Sequence, residues 1–447
     1  MSEAMLQPLA VMRWSDLDET ARAQLIDRGT DKIFDPALQE AIGELIEDVR
    51  ERGDAALIDA LKKFDGCEVT PEQLAVSEQE FEQAESAVSE ELREALRVGI
   101  RNSRAFNEAA TAERRWSSET APGLVVGEKA TPVASAGLFV PSGKGSYPSV
   151  MVQIGTPAVV AGVRELTVVV PPFPGGDGHV DPAVLCAARE LGIRRVFRAN
   201  GPTGVAAMAF GTETIPRSVK VVGPGSPAVQ AAQIQCQRFG THTQVLLGPS
   251  ESLILADDSA DPDLLAADLL TEAEHGPDSA VLLVTDSQAL LDRVQEHVAT
   301  RIAELPEPRR GWAHLSLGEH GGAVLVADLD EAAEVANRWA PEHMQIVARD
   351  EERVLSAIEH AGEVLLGQTT PIAAANFMLG VPAALPTATF PQVTGGITAA
   401  TFLKRISIAK ITSEALRQIA SGTEAMAEHE GFPAHAAAIR ARAGEPS

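Results

Sequence analysis

The chain has 447 residues, 45% of them apolar, which is several times the usual single-domain length and enough to bury at least two sizeable cores. Its 37 Lys and Arg stand against 63 Asp and Glu, a formal charge of −26 whose field repels phosphate backbones and argues against a nucleic-acid partner. The start, Met1 to Glu19, lacks a basic region followed by an unbroken apolar run, and no apolar stretch reaches the length of a membrane span, so the expected setting is the cytoplasm, with no membrane partner.

From Asp35 to Trp116 the pattern is helical. Leu38, Ile42, Leu45 and Ile46, then Ala56, Leu57 and Leu61, recur every three or four positions between charges, and predict two to four amphipathic helices broken near Gly53 and Gly66. After Pro122 the texture changes to short β-branched runs closed by Gly or Pro, over residues 137–140, 166–171, 195–199 and 219–222. Alanine-rich helical segments lie between or after them, over 157–164, 182–191 and 204–210. Strand and helix in regular succession imply parallel pairing with helices on both faces.

A second alternating block follows: a strand over 252–256, a helix over 262–273, a strand over 280–285, a helix to about Ala303, and a strand over 322–326. Residues 307–311 read as an exposed connection, and residues 413–443 as a polar helical tail interrupted by Gly431 and Pro433. That tail is too thin to form a core alone and must dock on something else. Cys67, Cys186 and Cys236 are far apart and odd in number, which suggests neither a disulfide framework nor a cysteine-built zinc site.

Chemistry-bearing residues gather in a few places. Glu272 and His275 lie three apart at a helix end that Gly276-Pro277 stops, so one face carries a carboxylate and an imidazole. The pair suits a divalent metal or an acid/base couple, and equally an ordinary solvated helix face. Pro341-Glu342-His343 sets adjacent acid and base before an apolar run. There a neutral His can accept a proton and a Glu can activate water. Gly248-Pro249-Ser250-Glu251 and residues 141–146 are Gly/Pro turns whose free N–H groups can face an anion or simply close a turn. Glu430 and His435 sit in the tail, where the plain alternative is an exposed helix end. No GxGxxG follows a predicted strand, and there is no GxxxxGK[ST] or GxSxG.

Taken in order, these pieces resemble the histidinol dehydrogenase family from about Asp35 to Arg440. The most specific runs are Ala209-Phe210-Gly211-Thr212-Glu213, Gly248-Pro249-Ser250-Glu251, Ala273-Glu274-His275-Gly276-Pro277-Asp278-Ser279, Pro341-Glu342-His343, Leu385-Pro386-Thr387 and Phe402-Leu403-Lys404-Arg405. The resemblance implies an α/β homodimer of two incomplete Rossmann-like parallel-sheet domains with helical N-terminal and C-terminal arms, the tail exchanged between subunits. It also implies zinc, NAD and the oxidation of a small polar amino alcohol through an aldehyde to a carboxylate. The expected organisation is an N-terminal arm over 1–34 and a discontinuous metal-bearing catalytic domain over 35–136 and 252–397. A second, NAD-side domain spans 137–251, and the tail covers 398–447.

Carried over by position, Glu342 matches the acid/base that activates water and His343 the base that takes the alcohol proton. Ser149, Ser250 and Glu430 match substrate contacts, and His275 and His435 match metal ligands. Glu272 stands where the family pattern has a Gln ligand, and Asn376 where it has an Asp ligand. The two departures exchange an amide and a carboxylate, so the metal set Glu272, His275, Asn376 and His435 keeps its formal charge.

On the substrate side, Pro382-Ala383 replaces Asn-His, which removes polar partners and argues against histidinol itself as substrate. Near the cofactor, Phe139 stands for Tyr, Thr203 for Gln and Ser226 for Asn, each a shorter or lost polar reach. Three alternatives stay open: a sulfopropanediol dehydrogenase-like enzyme in which Lys144 or Arg405 seats a sulfonate, a catalytically silent metal-binding paralogue, and metal-assisted hydrolysis with no dinucleotide.

Overall fold

A computed structural model describes residues 8–28, 31–142, 145–173, 178–244 and 248–444. The strands are β1 (Val11–Arg13), β2 (Arg115–Ala121), β3 (Leu124–Pro132), β4 (Ser135–Phe139), β5 (Glu165–Val170), β6 (Val196–Arg198) and β7 (Lys220–Val222). They continue as β8 (His242–Thr243), β9 (Glu251–Ala256), β10 (Ala280–Thr285), β11 (Gly322–Leu325), β12 (His343–Val347), β13 (Glu363–Leu366) and β14 (Leu403–Ile411). Among the described residues they form two parallel sheets, in the orders β1-β11-β10-β9-β12-β13 and β6-β5-β4-β7-β8, and one antiparallel sheet, β14-β3-β2.

Helices cover both faces of the parallel sheets, so their central strands must be apolar on both sides. Every residue of β9 and β10 is buried. Helix limits follow local chemistry. The helix Pro262–Ala273 starts with the Asp261 carboxylate accepting the Asp263 N–H and with Pro262 in the first turn. Between it and Pro277 its last turn carries Glu272 into the interior, 1% exposed.

The two alternating α/β blocks are where the periodicity placed them. Three expectations need correction. The helices Pro36–Arg52, Glu78–Ala87 and Glu90–Ala110 pack on the β4–β8 sheet, not with residues 252–397: Ile42 and Ile46 share a core with Phe139 and Val169, and Leu96 and Ile100 share one with Leu138. The reason is coverage. The helices that follow β9, β10 and β11 already enclose the six-stranded sheet, while the faces of the five-stranded one need those amphipathic stripes. The N-terminal arm contributes β1 to the edge of the six-stranded sheet, and the tail begins with a strand, β14, paired with β3 from Leu403 opposite Pro132 to Ile411 opposite Leu124. Alternation is faint in both segments: β1 is only three residues long, and the exposed antiparallel ribbon that holds β14 needs no buried face. All of β2 is exposed. The 307–311 connection is likewise shorter than expected, since a helix spans Arg309–Gly318.

The N-terminal arm is tied to the six-stranded sheet by a buried cation. Arg28 donates from Nε and Nη2 to the two carboxylate oxygens of Glu251, at 2.8 and 3.1 Å, and from Nη2 to the Trp339 carbonyl at 2.6 Å. Its guanidinium lies 3.7 Å from the centre of the Trp339 ring. Both side chains of the ion pair are almost fully buried, at 4% and 2% exposure. Removing the cation alone leaves a carboxylate buried without its charge partner. Arg28→Met is therefore expected to destabilise the protein by about 3–5 kcal/mol. The double change Arg28→Met with Glu251→Gln should recover part of that loss in thermal unfolding, and a double variant no more stable than Arg28→Met would contradict the pairing argument.

Candidate active site

The turn before β12 places Glu342 and His343. The preceding helix, Leu329–Trp339, ends in Ala340, a buried non-glycine residue held at φ +49°. A residue with a Cβ in that left-handed region costs conformational energy, which the bonds around it must offset. Arg28 holds the carbonyl of Trp339 just before it, and the Gly362 N–H donates to the Pro341 carbonyl just after it at 2.9 Å. Glu342 follows, its Oε2 accepting the Glu251 backbone N–H at 3.0 Å.

His343 opens β12, between β9 and β13, and is 3% exposed. Its Nε2 lies 3.8 Å from Glu342 Oε1. Its Nδ1 lies 2.5 Å from Oε1 of Glu363, the first residue of β13 and its direct cross-strand partner. Glu363 was not anticipated from the sequence. A lone Glu at the start of a short strand gives no periodic signal, and only the strand register brings it to the imidazole.

Beside this pair lies a second polar cluster. Glu272 Oε1 accepts an N–H of the Asn376 side chain at 2.9 Å, and its Oε2 contacts His275 Nδ1. Glu272, His275 and Asn376 thus converge from the helix Pro262–Ala273, the turn after it and the short helix Ile372–Phe377. Burial by itself would push Glu272 up. The charge and hydrogen bond of His275, the charge of His343 and the Asn376 amide outweigh it and bring the carboxyl down to about 2. For His275, partial desolvation is outweighed in the same way by Glu272, and its imidazole is raised. Burial pushes the Glu342 carboxyl well above the usual carboxylate range, against the pull of His343. His343 is raised too, since Glu342 and the hydrogen bond to Glu363 outweigh the effect of its burial.

The remaining predicted positions divide. Ser149, in the first turn of the helix Pro148–Ala161, and Ser250, just before β9, are half-buried. Glu430 and His435 are exposed on the tail, where the His435 ring packs on Phe432 with centroids 5.1 Å apart. The single chain therefore gathers three of the four expected metal ligands. Among its described residues no three His, Cys, Asp or Glu meet as a metal site.

Two of the three positions matched to cofactor contacts, Phe139 and Thr203, are enclosed. Phe139 is 2% exposed within the core of the five-stranded sheet, and Thr203, 1% exposed, has its hydroxyl turned back to the Asn200 carbonyl. A ring and a hydroxyl consumed by packing have no surface to offer a nucleotide. Ser226 is exposed, at the start of the helix Pro227–Cys236. Of the two residues expected to seat a sulfonate, Arg405 is an exposed β14 residue paired with Glu128 at 3.2 Å, and Lys144 lies outside the described residues, as does Gly143 of the same turn.

No helix among the described residues is long and apolar enough to cross a membrane. Comparison with known proteins matches residues 30–443 to the histidinol dehydrogenase family. A histidinol dehydrogenase homolog from Colwellia psychrerythraea is 39% identical over 436 residues, 97% of each chain. The histidinol dehydrogenase of Methanosarcina mazei is 39% identical over 431 residues, 96% of this chain and 97% of its own. The crystal structure of histidinol dehydrogenase from Elizabethkingia anophelis superposes with a TM-score of 0.92 at 32% identity, covering 98% of both chains. With a family match over nearly its whole length, the chain belongs to the histidinol dehydrogenase family, a family of NAD-dependent oxidoreductases.

Proposed function

We propose that this protein is a zinc- and NAD-dependent dehydrogenase that oxidises a small polar alcohol other than histidinol, in two steps to the carboxylate. The observation that carries the reading is the contact of Asn376 with Glu272 beside His275, within the field of His343. A carboxylate, an imidazole and an amide are donors that suit zinc, and burial of Glu272 gives that charge its reach. Glu272, His275 and Asn376 would hold the metal together with His435 of the partner subunit. When bound, zinc would polarise the substrate oxygen, and NAD would accept one hydride in each step, two NAD for the four-electron oxidation.

The chain's own residues have separable tasks. His343, by way of Nε2, takes the hydroxyl proton of the alcohol. Glu342, buried and raised, passes a proton to or from the water that enters at the aldehyde stage. Ser149 and Ser250 orient the polar end of the substrate, with Glu430 reaching in from the partner. Ser226 and the turn Gly223-Pro224-Gly225, which leads into the helix Pro227–Cys236, offer the second sheet's anion-facing end to the nucleotide, while Phe139 and Thr203 shape it from behind.

Tail exchange is supported by the exposure of the tail itself. The helices Ser413–His429 and Pro433–Ala443 pack on each other and leave Ile419 45%, Met426 67% and Phe432 48% exposed. Such apolar surface is normally covered, and in the proposed dimer a second subunit would cover it. The substrate differs from histidinol because Ala383 presents a methyl group, with its backbone N–H taken by Gln153 Oε1 at 3.1 Å, and Pro382 presents no donor.

Two expectations test the reading. Glu272→Gln leaves two amides and no anion, and Asn376→Asp sets two carboxylates together. Each single change should therefore lower zinc content and thermal stability more than the double change, and equal losses in all three would refute the exchange of roles. His435→Ala should lose metal and activity, and mixing it with His343→Ala subunits should restore activity, since one hybrid site is then intact. Full metal and NADH production in His435→Ala alone, across a panel of amino and polyhydroxy alcohols, would refute the shared site.

A further inference from the structure

We propose that Glu363 is a positioning residue for the catalytic base: it holds Nδ1 of His343 and so directs Nε2 to the proton that is removed. The inference rests on the dehydrogenase reading for the word catalytic, but its geometry stands apart from it.

Four observations carry it. First, the contact is built by register. His343 and Glu363 open neighbouring parallel strands as direct partners, and the Glu363 N–H donates to the Glu342 carbonyl at 3.1 Å, so the same residue fixes the main chain of one catalytic position and the side chain of the other. Second, the close approach needs a glycine. A Cβ on Gly362 would stand 2.4 Å from the Glu342 carbonyl oxygen, so a larger residue there would push the start of β13 away from the acid and base.

Third, the carboxylate is costly where it stands. The Glu363 side chain is 6% exposed and its Oε2 has no hydrogen-bond partner among the described residues, although a buried carboxylate usually fills its acceptor sites. Stability alone gives no reason to keep such a group, whereas an imidazole that must present one nitrogen does. Fourth, Glu363 borders a cavity of about 700 Å³ between the two parallel sheets, lined also by Lys220, Gln244 and Pro382. The carboxylate thus lies between His343 and the space where Pro382 stands in place of a polar substrate contact.

The consequence is a defined tautomer. With Nδ1–H donated to Glu363, the neutral imidazole has its lone pair on Nε2, 3.8 Å from Glu342 Oε1. The charged groups facing His343 are Glu342 on its own strand turn, Glu272 and His275 from the helix Pro262–Ala273 and the turn after it, and Glu363 from β13.

The test is Glu363→Gln, which keeps the shape and removes the charge, with Glu363→Asp as the conservative companion. Imidazole resonances of the whole enzyme, ¹⁵N-labelled at histidine and without substrate, would be followed against pH, with His343 identified by its loss in His343→Ala. In Glu363→Gln the His343 midpoint should fall by about one unit or more, as expected for removal of an adjacent carboxylate, and in Glu363→Asp by less. In turnover, Glu363→Gln should lower kcat about tenfold with KM nearly unchanged, and move the acidic limb of the pH profile the same way. An unchanged His343 midpoint in a Glu363→Gln protein that melts like wild type would overturn the proposal. Failure of the dehydrogenase reading would show separately, as wild-type protein without turnover. If Glu363→Gln does not fold, the Glu363→Asp titration decides in the same way.

Discussion

The contact on which the rest depends is the ion pair of Arg28 and Glu251, buried under the ring of Trp339. Glu251 is the first residue of β9, and three separate strands of chain meet at it. Its side chain receives Arg28 from the N-terminal arm and the Ala388 N–H from the segment after the helix Ile372–Phe377, and its own N–H is donated to Glu342. Ala340, Ala388 and Thr389 all have positive φ, and each lies within one or two residues of an atom in this network. A buried charge pair contributes little net stability, because desolvation opposes the attraction. Its value here is conformational. It holds strained turns at the geometry that presents Glu342 and His343.

The polar cluster next to it obeys a related rule. Glu272 is nearly inaccessible and ionised, so it needs hydrogen-bond donors and a nearby cation, and His275 and Asn376 meet that need in the protein alone. An amide and a carboxylate facing each other form the same contact whichever backbone bears which. Exchange between the two positions keeps both the hydrogen bond and the charge, whereas either change alone loses one of them. Two substitutions that look like losses one at a time are coherent as a pair.

Most of this was legible in residues taken singly or in short runs. The helix 262–273 and the strand 280–285 coincide with the expected limits, because alternating blocks of buried strand and capped helix leave strong local marks. Of the positions the resemblance singled out, Glu272 contacts His275 and Asn376, and Glu342 lies beside His343, while His435 lies on the exposed tail. What escaped was set by long-range packing. Helices near the N-terminus show a stripe but not which sheet it covers, and an exposed strand such as β14 has no buried face to impose alternation. Glu363 escaped for the same reason, its meaning lying wholly in the register of β13 against β12. The burial of Phe139 was likewise not legible, because a position matched to a cofactor contact says nothing of whether the side chain faces outward.

The two parallel sheets also present opposite ends to function. Parallel α/β sheets ordinarily bind ligands beyond the carboxyl ends of their strands. In the five-stranded sheet the turn Gly223-Pro224-Gly225 after β7 leads to a helix N-terminus, the arrangement that rule describes. In the six-stranded sheet, Glu251, His343 and Glu363 are instead the first residues of their strands. The distinction has a physical basis. An anionic cofactor is served by helix N-termini, which gather at the carboxyl ends of strands, whereas a cluster of carboxylates and imidazoles gains from backbone N–H groups at the strand starts, as the Glu251 N–H shows by binding Glu342. The cavity bordered by Lys220 and Gln244 on one side and Glu363 on the other takes one wall from each sheet.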